Sequence, residues 1–501
     1  MEAAMLRGLV EVQSRTSDGP PSPPDEGLVP LAAPAKAVHR TYPGAPHQAD
    51  TIEMQRAPGQ HDAGESGSVT PRADNDSDLE MSPPATPGPA AEPVEAMASV
   101  WEPSMNRFRL LAVCLANLGN ALSDGAAGAL IPYMEKYYHI GYGVVSLIFV
   151  GQAVGFIVAA VVLDTLRAKL GQAKVLGLGQ ALMTLAYIPL AAAAPFVLVA
   201  LSFFFIGFGI AINVAMGNIF CGRLQNGTLM LGLLHGSYGV GGTTGPLVAT
   251  ALVTAAGAVW SRYYLLTLGI GVATVALSLW SFWDFERELS PAAREREEQP
   301  ASSSMLLLGS MVTALRMRVV LLGAVFIFAY QGAEVSISGW VISFLIQARG
   351  GDPSSVGYVS AGFWAGITLG RFCLSGPAQR IGEKGFVYGL VVGAVAFQVL
   401  VWWVPNIVGE AVAVSIVGLL LGPIYPCAAA VFMRGMSRRD ALSGMGTISA
   451  CGSLGGAVAP FVTGLLAQAV GTYVLHPIVI ALFVVMLLCW YGVPSPEKRT
   501  E

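Results

Sequence analysis

From residue 107 onward the chain alternates long apolar runs with short polar joints. The runs predict twelve helices, over 107–132, 141–163, 173–193, 195–220, 229–255 and 262–284, then 319–347, 354–376, 385–404, 408–433, 441–469 and 472–492. A bilayer core about 30 Å thick needs roughly 20 residues of helix to cross it. The stretches 195–219, 262–283 and 472–492 meet that length with almost no charge. Buried helices of a globular core do not recur in this way with such short joints. The pattern therefore predicts an all-α membrane protein with twelve transmembrane helices. It has a six-helix bundle over 107–284, a cytoplasmic linker over 285–318, a second six-helix bundle over 319–492 and a short cytoplasmic tail over 493–501. The linker opens with "FERELSPAAREREEQP", and its "MLLLGSMVTALRMR" (305–318) predicts an amphipathic helix on the membrane face.

Residues 1–106 follow no such pattern. They hold 15 of the 31 prolines by residue 100, and much Ser, Gly, Asp and Glu. Too few apolar side chains are present to offset the entropy of ordering, so a disordered cytoplasmic tail is expected. "NDSDLEMSPPATP" (75–87) carries Ser-Pro and Thr-Pro sites open to phosphorylation, although an unmodified tail is the plainer reading.

Composition agrees with the pattern. Of 501 residues, 54% are hydrophobic and 12% charged, with mean hydropathy +0.60; soluble domains carry about 25% charged residues. A net charge of −4 gives no reason to expect a nucleic-acid partner. All six cysteines fall in or beside apolar runs and none forms a CxxC pair, so they are expected to pack rather than to bind metal or form disulfides. No Ser-His-Asp, metal or nucleotide-binding spacing stands out. The GxGG at 239–242 has no preceding strand. Neither a cofactor nor an enzymatic activity is expected.

Lys and Arg set the orientation. With the N-terminus in the cytoplasm, fourteen fall in inside joints and three (Lys136, Arg262, Arg349) in outside joints. Both termini are expected in the cytoplasm of a plasma-membrane protein. The sequons at Asn75 and Asn226 then lie on the unglycosylated side.

The halves echo one another. Gly155, Lys169 and Gly171 recur 211 positions later as Gly366, Arg380 and Gly382, and "GGTTGPLV" (241–248) recurs as "GGAVAPFV" (455–462), 214 later. Asp124 and Glu334 are 210 apart. Two parallel repeats of six helices place a solute site near midplane between the halves.

"GFIVAAVVLDTLRAKLGQAK" (155–174) ends a helix with an acid, a short basic joint and a turning glycine. This resembles the loop 2–3 signature of the major facilitator superfamily. The resemblance implies a gating role for Asp164, Arg167, Lys169 and Gly171, with Arg380 as the repeat's counterpart of Lys169. In that family the aspartate braces the loop against a neighbouring helix. "LGLLHGSYGVGGTTGPL" (231–247), "YQGAEVSISGWVISFL" (330–345) and "LLLGPIYPCAAA" (419–430) are similar to the fungal branch related to fucose permease and the sodium-dependent glucose transporters.

The polar residues inside the apolar runs supply the candidate site. Asn117, Asn120 and Asp124 are spaced i, i+3, i+7 on the first helix; Gln331, Glu334 and Ser338 repeat that spacing on the seventh, and His235, Tyr238 and Gly242 on the fifth. Ionisable groups at membrane depth face a cavity or a partner, so these stripes predict one shared aqueous chamber. A desolvated carboxylate there can exchange protons near neutral pH. Asp124 resembles the first-helix aspartate of fucose permease, part of that protein's sugar and proton site. Where that relative has an acid on the fourth helix, this chain has Val214, with Asn213 adjacent. Trp340, Trp364, Phe363 and Tyr425 join Tyr238 as aromatic faces suited to a ring-shaped solute.

The expectation is a secondary active transporter of a small organic solute, working by alternating access as a monomer in the lipid bilayer. Its coupling ion is a proton, with sodium the alternative, and a sugar-like solute is favoured. Efflux of a fungal secondary metabolite by proton antiport stays open, since "GGTTGP" resembles the start of an antiporter signature. So does a non-transporting membrane sensor with a signalling tail.

Overall fold

The computed structural model describes residues 98–288, 309 and 311–494. The predicted disordered tail up to residue 97, most of the linker with its amphipathic helix, and the segment from 495 to the C-terminus lie outside the described residues. What is described is helical, with no strand among the described residues.

Twelve long helices appear in chain order among the described residues. They are α1 (Asn106–Tyr138), α2 (Leu147–Leu170), α3 (Gln172–Ala191), α4 (Phe196–Gly222), α5 (Gly227–Thr254) and α6 (Tyr263–Phe282), followed by α7 (Arg318–Arg349), α8 (Val359–Cys373), α9 (Glu383–Trp403), α10 (Ile407–Arg434), α11 (Arg438–Val470) and α12 (Leu475–Gly492). Ten of the described helices are long and apolar enough to cross a membrane. The remaining pair are α5, diluted by glycine, threonine and His235, and α8, which has 15 residues before a short continuation at Ser375–Ile381. Helices suit this composition because in hydrocarbon every backbone N–H and C=O must be satisfied within its own segment.

Boundaries differ from the sequence reading where capping and proline act locally. The first helix continues past Pro132 to Tyr138, and the tenth breaks around Gly422-Pro423 because proline removes an N–H from the ladder. The Asn406 side chain accepts from Gly409 N at 2.9 Å to start α10, and Ser437 Oγ accepts from Asp440 N at 3.2 Å to start α11.

The repeat holds in three dimensions. Within the first half α1 packs on α5 and α6, α2 on α4, and α3 on α4 and α6. Adding six to each label gives the packing of the second half: α7 on α11 and α12, α8 on α10, and α9 on α10 and α12. The shared glycines carry this. A Cβ on Gly155 would lie 1.9 Å from Phe204 O of α4, and one on Gly366 would lie 2.2 Å from Ser415 O of α10. Both positions bring helix backbones into direct contact, which only glycine permits. The halves meet through α5 with α8, α2 with α11, and α1 with α7.

Candidate functional site

A cavity of about 270 Å³ lies between the halves. It is lined from both repeats: by α1, α2, α4 and α5 on one side and by α7, α8 and α11 on the other. Its surface is two-sided. Phe149, Phe156, Ile210 and Val214 form an apolar wall from α2 and α4; Asp124, Gln152, Tyr238, Gln331, Glu334, Ser338 and Ser453 supply polar groups.

Asp124 sits in this lining with both carboxylate oxygens held. Gln152 Nε2 donates to Oδ1 at 2.6 Å, and the Tyr238 hydroxyl donates to Oδ2 at 2.6 Å. Gln152 was not singled out from the sequence, although it is the one polar side chain in the apolar stretch 147–163. Glu334 faces the same cavity from α7 and is 9% exposed; its Oε2 has no hydrogen-bond partner. Arg371, on α8, interacts electrostatically with Glu334, Tyr330 and Tyr238. It too went unremarked in the sequence, where it is a lone charge inside "GITLGRFCL". Trp364 lines the cavity and its indole Nε1 has no partner. Val214 lines the cavity, so the fourth helix offers an apolar surface there.

Several predicted lining residues lie elsewhere. Asn117, Asn120 and Asn213 turn into the first half: Asn213 Nδ2 donates to Asn120 Oδ1 at 3.0 Å, Asn120 Nδ2 to Asn117 Oδ1 at 3.5 Å, and Asn117 Nδ2 to Leu234 O at 2.8 Å. The stripe on α1 runs along the border between cavity and bundle interior, so its members divide between the two. His235 lies on the exposed side of α5, near Arg371. The Tyr425 hydroxyl is 3.4 Å from Ser449 Oγ, and its ring packs near Tyr330. Trp340 is 1% exposed; its indole N–H donates to Pro460 O at 2.9 Å and its ring meets Tyr142 and Phe149. It is a packing residue at the junction of α7, α11 and α2. Phe363 is fully buried.

That junction closes one end of the cavity, the end where α1 finishes. A Cβ on Gly464 of α11 would lie 2.7 Å from both Ser146 Cβ and Trp340 Cζ2, and one on Gly128 of α1 would lie 2.0 Å from Ser338 O of α7.

The predicted gating residues lie at the opposite end. Asp164, Lys169 and Arg380 are exposed and Arg167 is half-buried. Gly171 and Gly382 both adopt positive φ, 82° and 101°, as the turns joining α2 to α3 and α8 to α9 require. The brace on the first turn is Glu286, just after α6: its Oε1 accepts from Ala173 N at 3.2 Å. In the second half Glu383, at the start of α9, pairs with Arg434 at 2.9 Å.

Two six-helix bundles repeated in the same order around a shared polar cavity define the architecture. The sequence matches the family model of the Major Facilitator Superfamily over residues 113–444 and 332–501. The chain belongs to that superfamily, and its fold is that of a multi-pass membrane transporter. Among curated proteins it is similar to "Bypass of stop codon protein 6" of Saccharomyces cerevisiae, with 25% identity over 409 residues, 77% of this chain and 80% of the relative. A glucose/galactose transporter of Brucella abortus is 26% identical over 273 residues, 52% of this chain and 62% of that protein. Among solved structures, a D-xylose-proton symporter superposes with TM-score 0.63 at 10% identity, covering 79% of this chain and all of the other. The nucleoside transporter NupG gives 0.61 at 14% and the Escherichia coli fucose:proton symporter 0.55 at 16%, each covering 77% of this chain and 98% of the other.

Proposed function

We propose that this protein is a secondary active transporter that moves a sugar-like solute by alternating access, driven by protons. The observation that carries the reading is the pair of carboxylates, Asp124 and Glu334, one from each repeat on one two-sided cavity. A pyranose has a hydroxylated rim and an apolar ring face, which suits a cavity with a polar side and a wall of Phe149, Phe156 and Val214. Asp124, held by two neutral donors, is the proton carrier. Glu334 accepts from a solute hydroxyl, with Arg371 beside it balancing its charge. The glucose/galactose, fucose and xylose specificities printed for the relatives and structural neighbours support the solute class.

Lys and Arg on the inner joints support cytoplasmic termini. The end closed by Trp340 and Gly464 is then extracellular. Asp164, Arg167, Lys169, Gly171 and Arg380 occupy the opposite, cytoplasmic end and act as its gate. One protomer encloses the whole cavity, so the monomer is the functional unit.

Purified protein in liposomes tests the reading. An inward proton gradient should drive accumulation of at least one labelled hexose, pentose or polyol, and collapsing the gradient should abolish it. Accumulation driven by the opposite gradient would favour efflux by antiport. Accumulation that follows a sodium gradient at equal pH would replace the proton with sodium.

A further inference from the structure

A second, smaller chamber lies inside the first half, between α1, α3, α4 and α6. Its volume is about 20 Å³; a single buried water needs roughly 10–15 Å³. Its lining includes Gln180, Thr184, Tyr187, Asn213, Thr267 and Thr274 and carries no Asp, Glu, His, Lys or Arg.

The hydrogen bonds around it run in one direction. The asparagine chain donates from Asn213 to Asn120, from Asn120 to Asn117, and from Asn117 to Leu234 O. This leaves the head of the chain, Asn213 Oδ1, as an acceptor without a donor. Across the chamber both amide atoms of Gln180 also lack partners. Gln180 is 3% exposed and Asn213 4%. The three threonine hydroxyls have spent their hydrogens on carbonyls of their own helices: Thr184 on Gln180 O at 2.7 Å, Thr267 on Tyr264 O at 3.1 Å and Thr274 on Ile270 O at 2.7 Å. Each therefore offers lone pairs. A buried amide with neither donor nor acceptor satisfied is costly, and native interiors fill such gaps with water.

We propose that this chamber is an internal hydration site holding one ordered water. The water accepts from Gln180 Nε2–H, donates to Asn213 Oδ1, and has threonine lone pairs for its second hydrogen. It completes a polar strut from α3 through α4 and α1 to α5, which lets the first half move as one body. A bare monovalent cation fits the same volume poorly. The walls supply no negative charge to replace its hydration, and it leaves the Gln180 N–H without an acceptor.

Met183 lines the chamber and is 5% exposed; Met134 and Met216 are buried at 0% and 1% outside its lining. X-ray hydroxyl-radical footprinting of the full chain in lipid nanodiscs reads bound water directly, because radicals form where the water sits. Met183 should oxidise several-fold faster than Met134 and Met216. The excess should vanish in Gln180→Leu. It should also vanish in Gly119→Ala, whose added Cβ meets only Ile270 Cγ2 at 3.7 Å and narrows the chamber while leaving every partner of the strut in place. The second variant decides the matter if the first fails to fold. Oxidation of Met183 no faster than that of the two controls overturns the proposal. So does a melting temperature that rises with sodium chloride but not choline chloride and loses that rise in Gly119→Ala, since sodium would then be the occupant.

Discussion

The Tyr238 hydroxyl donates to Asp124 Oδ2 at 2.6 Å, joining α5 to the carboxylate of α1 within the cavity lining. A charge-assisted hydrogen bond of this kind contributes about 1.5–3 kcal/mol. Asp124→Asn keeps the shape of the site but removes the ionisable group. The expected outcome is loss of proton-driven accumulation with solute exchange between equal pools retained, measured as uptake against counterflow in liposomes. Tyr238→Phe keeps the ring near Trp364 and removes only the donor, and accumulation should fall by roughly tenfold or more, as about 1.4 kcal/mol per tenfold implies. Accumulation intact in both variants would exclude Asp124 from coupling.

Glu334 Oε2 and Trp364 Nε1 are a buried acceptor and donor on one cavity, neither with a hydrogen-bond partner. Groups left in this state are suited to a solute that supplies a hydroxyl to each. Glu334→Gln and Trp364→Phe should each raise KM for the transported solute by about tenfold, the effect of one lost hydrogen bond near 1–1.5 kcal/mol. Initial-rate uptake over a range of solute concentrations measures this. Unchanged KM in both variants would remove these two atoms from recognition.

Gly128 supports a prediction about conformation. Its backbone meets that of Ser338 so closely that a methyl group would lie 2.0 Å from Ser338 O. Gly128→Ala should therefore destabilise the state in which the α1–α7 end is closed and bias the protein toward opening there. Gln468 reports on that end, since its Oε1 would lie 1.9 Å from a Cβ on Gly141. A Gln468→Cys reporter should react with an impermeant maleimide several-fold faster when combined with Gly128→Ala. Equal rates with and without the alanine would contradict the assigned closure.

Periodicity made the helices and both carboxylates legible, because a 20-residue apolar run and a charge inside it leave few alternatives in a membrane. It did not reveal which neighbour each polar face meets. Asn117, Asn120 and Asp124 span a narrow arc of α1, yet Asp124 reaches the cavity while the two asparagines bond inward. That division depends on how α1 sits against α4 and α5, which spacing along one helix does not encode. Trp340 presents the same difficulty: an indole on a polar-striped helix resembles a solute platform until Pro460 O and Tyr142 are seen to occupy it. Gln152 and Arg371 were visible as lone polar residues in apolar runs, and their meaning came only from the carboxylates opposite them. Glu286 lay in a charged joint where nothing in the pattern set it apart from its neighbours.

The second half carries an ion pair that separates burial from mere proximity. Arg349, at the end of α7, donates to Glu410 Oε1 at 2.5 Å and to Trp402 O at 2.7 Å, so one guanidinium ties α7 to α9 and α10. The Glu410 side chain is 1% exposed. Removing one partner of such a pair leaves a buried charge uncompensated and costs about 3–5 kcal/mol. Arg287 and Asp284 are also 2.8 Å apart, but both are exposed and three residues apart in sequence, a geometry in which solvent screens most of the attraction. Arg349→Ala should therefore lower the melting temperature of the detergent-solubilised protein by several degrees, and Arg287→Ala should leave it nearly unchanged. Glu410→Gln, which removes the buried charge but keeps the side chain's size, should lie between them because Arg349 retains its carbonyl contact. A thiol-reactive dye reporting on the buried Cys489 and Cys427 during heating measures all three. Equal melting temperatures for the two arginine variants would mean that water reaches the α7–α10 junction as freely as it reaches Arg287.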